Sequence, residues 1–197
     1  MKRNIRISAG AVLAAALLYY FLDAESILAL LAAVAAHELG HLLALQLLGL
    51  RVRRIRMEAR GFCMDYCGST GAVGHALAAA AGPGAGFLYA YAASLAGNRL
   101  GMDGLCLSAG MSLLLSLFNL IPALPLDGGR ILMSICCGCC GEQRGRLLCA
   151  AASTACGFVL LALGTLLLFQ GKGAALLVAA VWVLAWQEGV EKRLEIL

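Results

Sequence analysis

An all-α, polytopic membrane protein with about six transmembrane helices and one small β element is predicted by three features of this 197-residue chain. Hydrophobic residues make up 62% of it and charged residues 13%, an apolar excess far beyond that of a soluble domain. Several apolar stretches reach the roughly 20 residues needed to cross a hydrocarbon core of about 30 Å. The charges gather in the links between those stretches, mostly on one side of them.

Taken in order, the candidate spans run from Ile5 to Leu22, Ser26 to Leu48, Gly71 to Ala96, Leu105 to Ile121, Leu147 to Phe169 and Ala174 to Trp186. The first follows Met1-Lys2-Arg3, but Tyr19-Tyr20-Phe21-Leu22-Asp23 offers no small-residue cleavage site, so it reads as a membrane helix and not a signal peptide. Lys2 and Arg3 precede it and Arg6 stands at its very start; Arg51, Arg53, Arg54, Arg56 and Arg60 follow the second span. Arg130, Arg144 and Arg146 follow the fourth, and Lys192 and Arg193 the sixth. Only Arg99 and Lys172 fall on the other side, so the excess of positive charge on cytosolic loops places both termini in the cytosol.

Between the second and third spans, Arg51 to Tyr66 is basic and partly alternating through Val52, Ile55 and Met57, which suits a short strand or hairpin. The third span is expected to be interrupted at Gly82-Pro83-Gly84, where proline removes a backbone donor. No internal repeat, linker or appended soluble domain is legible, so residues 1–197 are expected to form one membrane-embedded domain. The nine cysteines are an odd number inside or beside apolar segments and read as reduced thiols, not as a secreted disulfide scaffold. The net charge of +4 follows from where the basic residues flank the bilayer and does not imply nucleic acid.

Chemistry concentrates in His37-Glu38-Leu39-Gly40-His41, an H-E-x-x-H pattern inside the second span. Positions i and i+4 share a helix face, so both imidazoles can grip one zinc ion while the Glu38 carboxylate reaches the water that the ion activates. A chance match in a solvated helix is the bland alternative. Here the flanks are apolar, and two imidazoles with a carboxylate cost several kcal/mol in lipid unless something such as a metal compensates. His37 lies eleven residues from both Ser26 and Leu48, or roughly 16 Å from either end of the span, near the middle of the membrane.

A catalytic zinc takes three protein ligands and keeps a position open for water. Asp127 is the candidate third ligand, in Asn119-Leu120-Ile121-Pro122-Ala123-Leu124-Pro125-Leu126-Asp127-Gly128-Gly129-Arg130, on the same side as the end of the second span. Its prolines break the helix and its glycines permit close backbone approach. Capping a helix that begins at Gly128 accounts for Asp127 equally well.

Together HELGH and NLIPALPLDGGR resemble the signature of the site-2 protease family of intramembrane metalloproteases, peptidase M50, whose second motif has the form N-x-x-P-x-x-P-x-D-G. The resemblance implies a three-helix catalytic core of the second, third and fourth spans, about residues 26–136, with the other spans accessory. It implies zinc as cofactor, His37, His41 and Asp127 as its ligands, Glu38 as general base and Asn119 as a residue that positions substrate backbone. Ala81-Gly82-Pro83-Gly84-Ala85 is similar to the family's small-residue Gly-Pro segment. Six spans and a compact chain resemble the branch that contains the stage IV sporulation protein FB, which processes a pro-sigma factor at a bacterial membrane. Members of that branch often carry a C-terminal CBS domain, and this chain is expected to lack one. The implied partners are a membrane-associated protein substrate, membrane regulators and the bilayer itself.

Other residues have plainer roles. His75, near the start of the third span, reads as an interfacial histidine facing water. Cys136-Cys137-Gly138-Cys139-Cys140 contains two overlapping C-x-x-C spacings, but adjacent cysteines in a short link seldom supply four converging ligands, and inert or lipid-modified thiols are expected. The basic run from Arg51 to Arg60 faces anionic headgroups or, alternatively, offers an edge strand to an unwound substrate. The rival from another class is a membrane zinc transporter or sensor, which would show further polar ligands along a path or a repeated half.

Overall fold

A computed structural model describes residues 4–7, 12, 16, 18–58, 61–68, 70–169, 178–181 and 183–184. In chain order the elements are β1 (Asn4–Ile7), α1 (Ala24–Leu47), β2 (Arg51–Glu58), β3 (Gly61–Cys67), α2 (Ala72–Leu100), α3 (Asp103–Asn119), α4 (Asp127–Cys140) and α5 (Glu142–Leu168). The chain divides into two compact units, one of residues 1–74 and 81–117 and one of residues 75–80 and 118–197.

In the first unit, α1 starts after Asp23 at its N-cap. The Ser26 hydroxyl holds the Asp23 carboxyl below the usual carboxylate range, which keeps negative charge at the positive end of the helix dipole. The helix stops in a Schellman motif. Gly49 turns left-handed with φ 72°, its N–H donates to the Gln46 carbonyl, and the Leu50 N–H donates to the Leu45 carbonyl. Leu45 and Leu50, the positions where such a motif places its apolar residues, are both 4% exposed. The chain then enters β2, which pairs antiparallel with β3, Ile55 opposite Met64, and parallel with β1, Ile5 opposite Ile55. The strand order is therefore β1-β2-β3.

Burial on α1 runs opposite to that of a soluble helix. Leu28, Leu31, Leu39, Leu43 and Leu47 are exposed, while Ala29, Ala33, His37 and Gly40 are buried. Small and polar groups inside with large apolar groups outside is the pattern of helices that pack against each other in lipid. Buried serines on α3 supply the polar contacts: the Ser108 hydroxyl donates to the Ala29 carbonyl (3.0 Å) and accepts from Tyr89 (2.8 Å), and the Ser112 hydroxyl donates to the Gly86 carbonyl (2.9 Å). These bonds tie α3 to α1 and to α2.

In the second unit α4 and α5 form a helical pair. Gly141 turns the chain with φ 83°. At Gly145 an added Cβ would overlap the Cys137 backbone, so the absence of a side chain there sets how closely the pair packs. α5 repeats the reversed pattern, with Gly145, Cys149, Ser153, Gly157 and Gly164 buried and Leu147, Phe158, Val159 and Leu166 exposed.

Several expectations need correction. Residues 5–7, read as the start of the first span, are strand, because Asn4-Ile5-Arg6-Ile7 alternates with period two and finds β2 as a partner. Gly82-Pro83-Gly84 does not interrupt α2, which runs unbroken from Ala72 to Leu100. Pro83 removes only the bond to the Ala79 carbonyl, and its ring is fully buried, so the helix holds through the bonds on either side. Cys136 to Cys140 is the last turn of helix α4 and not a link. α5 begins at Glu142, ahead of the expected Leu147, and absorbs Arg144 and Arg146, with Arg146 paired to Glu142 one turn away. Two of the described helices, α1 and α5, are long and apolar enough to cross a membrane by length and composition, and α3 is a shorter apolar helix of 17 residues. α2 is longer, but its glycines, Pro83, His75 and tyrosines lower its mean hydropathy. Of the sixth span only residues 178–181 and 183–184 are described, and they are helical; the rest of it and much of the first lie outside the described residues.

Candidate metal centre

The helical spacing of His37 and His41 brings both imidazoles to one face of α1, with Nε2 to Nε2 at 3.2 Å and ring planes 77° apart. Two nitrogens bound tetrahedrally to zinc at about 2.0–2.1 Å lie about 3.3 Å from each other, so the pair already has the span of two ligands sharing one ion. A hydrogen bond between a protonated and an unprotonated Nε2 is the other arrangement this distance allows. His37 is buried, and Glu38 and His41 are half-buried.

Glycines make room for the pair. A Cβ on Gly40 would overlap the Ala81 carbonyl and the Ala85 side chain, so the fourth letter of HELGH is small because α2 crosses there. A Cβ on Gly82 would overlap the His41 ring itself, and one on Gly86, a turn further along α2, would overlap the Ser116 hydroxyl. The Gly82-Pro83-Gly84 segment thus shapes the surroundings of His41 without leaving the helix.

Asp127 opens α4, with Leu126 at the N-cap, so it does not cap a helix starting at Gly128. Its carboxylate is buried and lies 3.8 Å from the half-exposed Arg130 guanidinium. The two glycines after it are sterically required. A Cβ on Gly128 would overlap the carbonyl oxygens of Leu120 and Ile121, and one on Gly129 the backbone of Ala123 and Leu124, so the first turn of α4 lies directly on the proline-rich segment.

His37 and His41, in the first unit, offer two imidazole nitrogens to one ion, and Asp127, in the second, is the buried carboxylate that the motif supplies. Two imidazoles and a carboxylate are a donor set that suits zinc. Asn119 is the half-buried last residue of α3, and His75 is half-buried in the first turn of α2. Gly82 and Gly86, and Ser108, Ser112 and Ser116, were not singled out from the sequence as a helix-packing set. Their spacing of four is the signal that could have found them.

Comparison with known proteins agrees with this geometry. Residues 101–164, which include the NLIPALPLDGGR segment, match the model of Peptidase family M50. The chain is 34% identical over 146 residues, 71% of its length, to a Synechocystis protein provisionally named zinc metalloprotease sll0528. It is 33% identical over 178 residues, 85% of its length, to Mycobacterium tuberculosis Rip3, which carries the same provisional description. It spans less than half of either relative, 38% and 44% respectively. A site-2 protease from Methanocaldococcus jannaschii superposes with a TM-score of 0.71 at 23% identity, over 94% of this chain and 89% of that one. The chain therefore has the fold of a site-2 protease.

Proposed function

We propose that this chain is a member of the site-2 protease family and acts as an intramembrane zinc metalloprotease, hydrolysing a peptide bond in or near a membrane-spanning segment of a protein substrate. The observation that carries the reading is the His37–His41 pair, whose 3.2 Å separation fits two ligands of one tetrahedral ion, with Asp127 the third ligand that the motif resemblance implies. The match to Peptidase family M50 supports it from outside the HExxH helix.

In this reading His37, His41 and Asp127 would hold zinc, which would supply the Lewis acidity to lower the pKa of water toward about 7 and to polarise the scissile carbonyl. Glu38, next to His37 on α1, takes the proton from the attacking water and returns it to the leaving amine. Asn119 binds substrate backbone. A helical substrate hides its carbonyls in hydrogen bonds, so the cut segment must unwind; the basic strand β2 lies in the middle of the sheet and not at its edge, so it is β3 that offers backbone partners to an extended chain. The catalytic core spans about residues 26–136 of a single multi-pass domain with both termini in the cytosol. A regulatory precursor such as a pro-sigma factor is a substrate to try first.

The test compares wild type with Glu38→Gln, purified in detergent, for zinc content and cleavage of single-span substrates. Both are expected to carry about one zinc per chain, with Glu38→Gln cleaving about 10²–10⁴-fold more slowly. Equal cleavage by the two removes Glu38 as base. Zinc without cleavage of any substrate by wild type turns the reading toward transport or sensing.

A further inference from the structure

We infer that Ser153 and Cys149, on a helix outside the expected three-helix core, are positioning residues that fix Asp127; the inference rests on the reading of Asp127 as a metal ligand. The segment before Asp127 is poor in backbone donors, since Pro122 and Pro125 have no N–H. Its remaining donors can be followed individually. The Ala123 N–H donates to the Ile121 carbonyl and the Leu126 N–H to the Ala123 carbonyl, both within the segment. The Leu124 N–H instead leaves the segment and donates to the Ser153 hydroxyl of α5 at 3.0 Å.

That hydroxyl in turn donates to the Cys149 carbonyl at 2.7 Å, so its proton and a lone pair are both engaged. One turn earlier on α5, the Cys149 thiol donates to the Gly129 carbonyl at 3.4 Å. α5 therefore holds the chain three residues before Asp127 and two residues after it. Ser153 and Cys149 are both completely buried, so no water competes for these bonds. They belong to the stripe Gly145, Cys149, Ser153, Gly157, spaced by four along the buried face of α5. Small residues there let the helix approach closely enough for a serine and a thiol to reach main chain. Gly128 and Gly129 are pinned from the other side by the backbone of residues 120–124, so the first turn of α4 has little freedom except through this clasp.

The experiment uses the full chain, its Ser153→Ala, Ser153→Thr and Cys149→Ala variants, and Val159→Ala on the exposed face of α5 as control. The probe is Co²⁺ in place of zinc, read by its visible d–d spectrum and by titration, alongside amide exchange at Leu124 in the metal-free protein. Ser153→Ala is expected to weaken Co²⁺ binding about 10–100-fold, the range seen when groups behind a ligand are removed, and to change the band shape. It should also lose protection at Leu124 without metal. Ser153→Thr keeps the hydroxyl and should retain both signals, as should Val159→Ala. Cys149→Ala leaves no N–H unpaired and should shift the band in the same direction by less, a readout that survives if Ser153→Ala fails to fold. An unchanged Co²⁺ spectrum and affinity in both Ser153→Ala and Cys149→Ala overturns the inference while leaving Asp127 a ligand. Failure of the wild type to bind Co²⁺ overturns the ligand reading, a different result.

Discussion

At the scale of single residues, Gly82 opposes two effects whose signs differ. In a helix interior, Gly→Ala favours the helix by about 0.8–1.0 kcal/mol, but the Pro83 ring crowds a Cβ on the residue before it, which offsets that gain at Gly82. The new methyl would stand where the His41 ring stands, and a ring on a two-torsion side chain can swing away. The expected result is a chain that melts close to wild type yet holds zinc at least about tenfold more weakly, because a ligand is displaced without the fold being broken. Circular dichroism and zinc titration on the same sample check both halves. Unchanged zinc affinity would mean that the His41 ring does not lie against Gly82.

At the scale of elements, Gly128 differs from Gly82 in what it faces. The atoms in the way are main-chain carbonyl oxygens of Leu120 and Ile121, which cannot rotate aside. Gly128→Ala should therefore lower both stability and metal binding, by about 1–3 kcal/mol for the overpacking, read as a lower melting temperature in detergent together with lost zinc. The helix that begins there shows where sequence reading reached its limit. HELGH is legible because ligands at i and i+4 are a property of one helix, and the β2–β3 segment shows itself by a partial alternation through Val52, Ile55 and Met57. α4 follows two prolines and opens on Asp-Gly-Gly, residues that locally argue for a break, and only its packing on residues 120–124 makes it helical from Asp127 onward. Pro83 misleads in the opposite sense: its ring is buried in an otherwise intact helix, and nothing in Gly-Pro-Gly alone reports that. The Ser153 and Cys149 bonds to residues 124–129 join segments far apart in the chain and have no local signature at all.

At the scale of the whole molecule, solvent decides which residues belong inside. In water, the exposed leucines of α1 would be an aggregation surface, and truncating a buried one would be the costly change. In lipid the order reverses, because acyl chains are as apolar as leucine and stability comes from close packing of small residues. Leu31, 58% exposed, and Ala33, fully buried, sit two residues apart on α1 and make the comparison within one helix. Leu31→Ala should change unfolding in a detergent titration by less than about 0.5 kcal/mol, whereas Ala33→Leu, which must push methylenes into a filled helix contact, should cost about 1–3 kcal/mol. A soluble core helix would give the opposite ranking only if Leu31 were the buried member of the pair, which it is not. The informative control is therefore Leu31→Ser: a lipid-facing position tolerates the hydroxyl through its own helix carbonyls but lowers recovery in the membrane fraction, while a water-facing position leaves that fraction unchanged and improves solubility. Retention of Leu31→Ser at wild-type levels without detergent would show that α1 presents this face to water and that the chain's apolar exterior has a different partner.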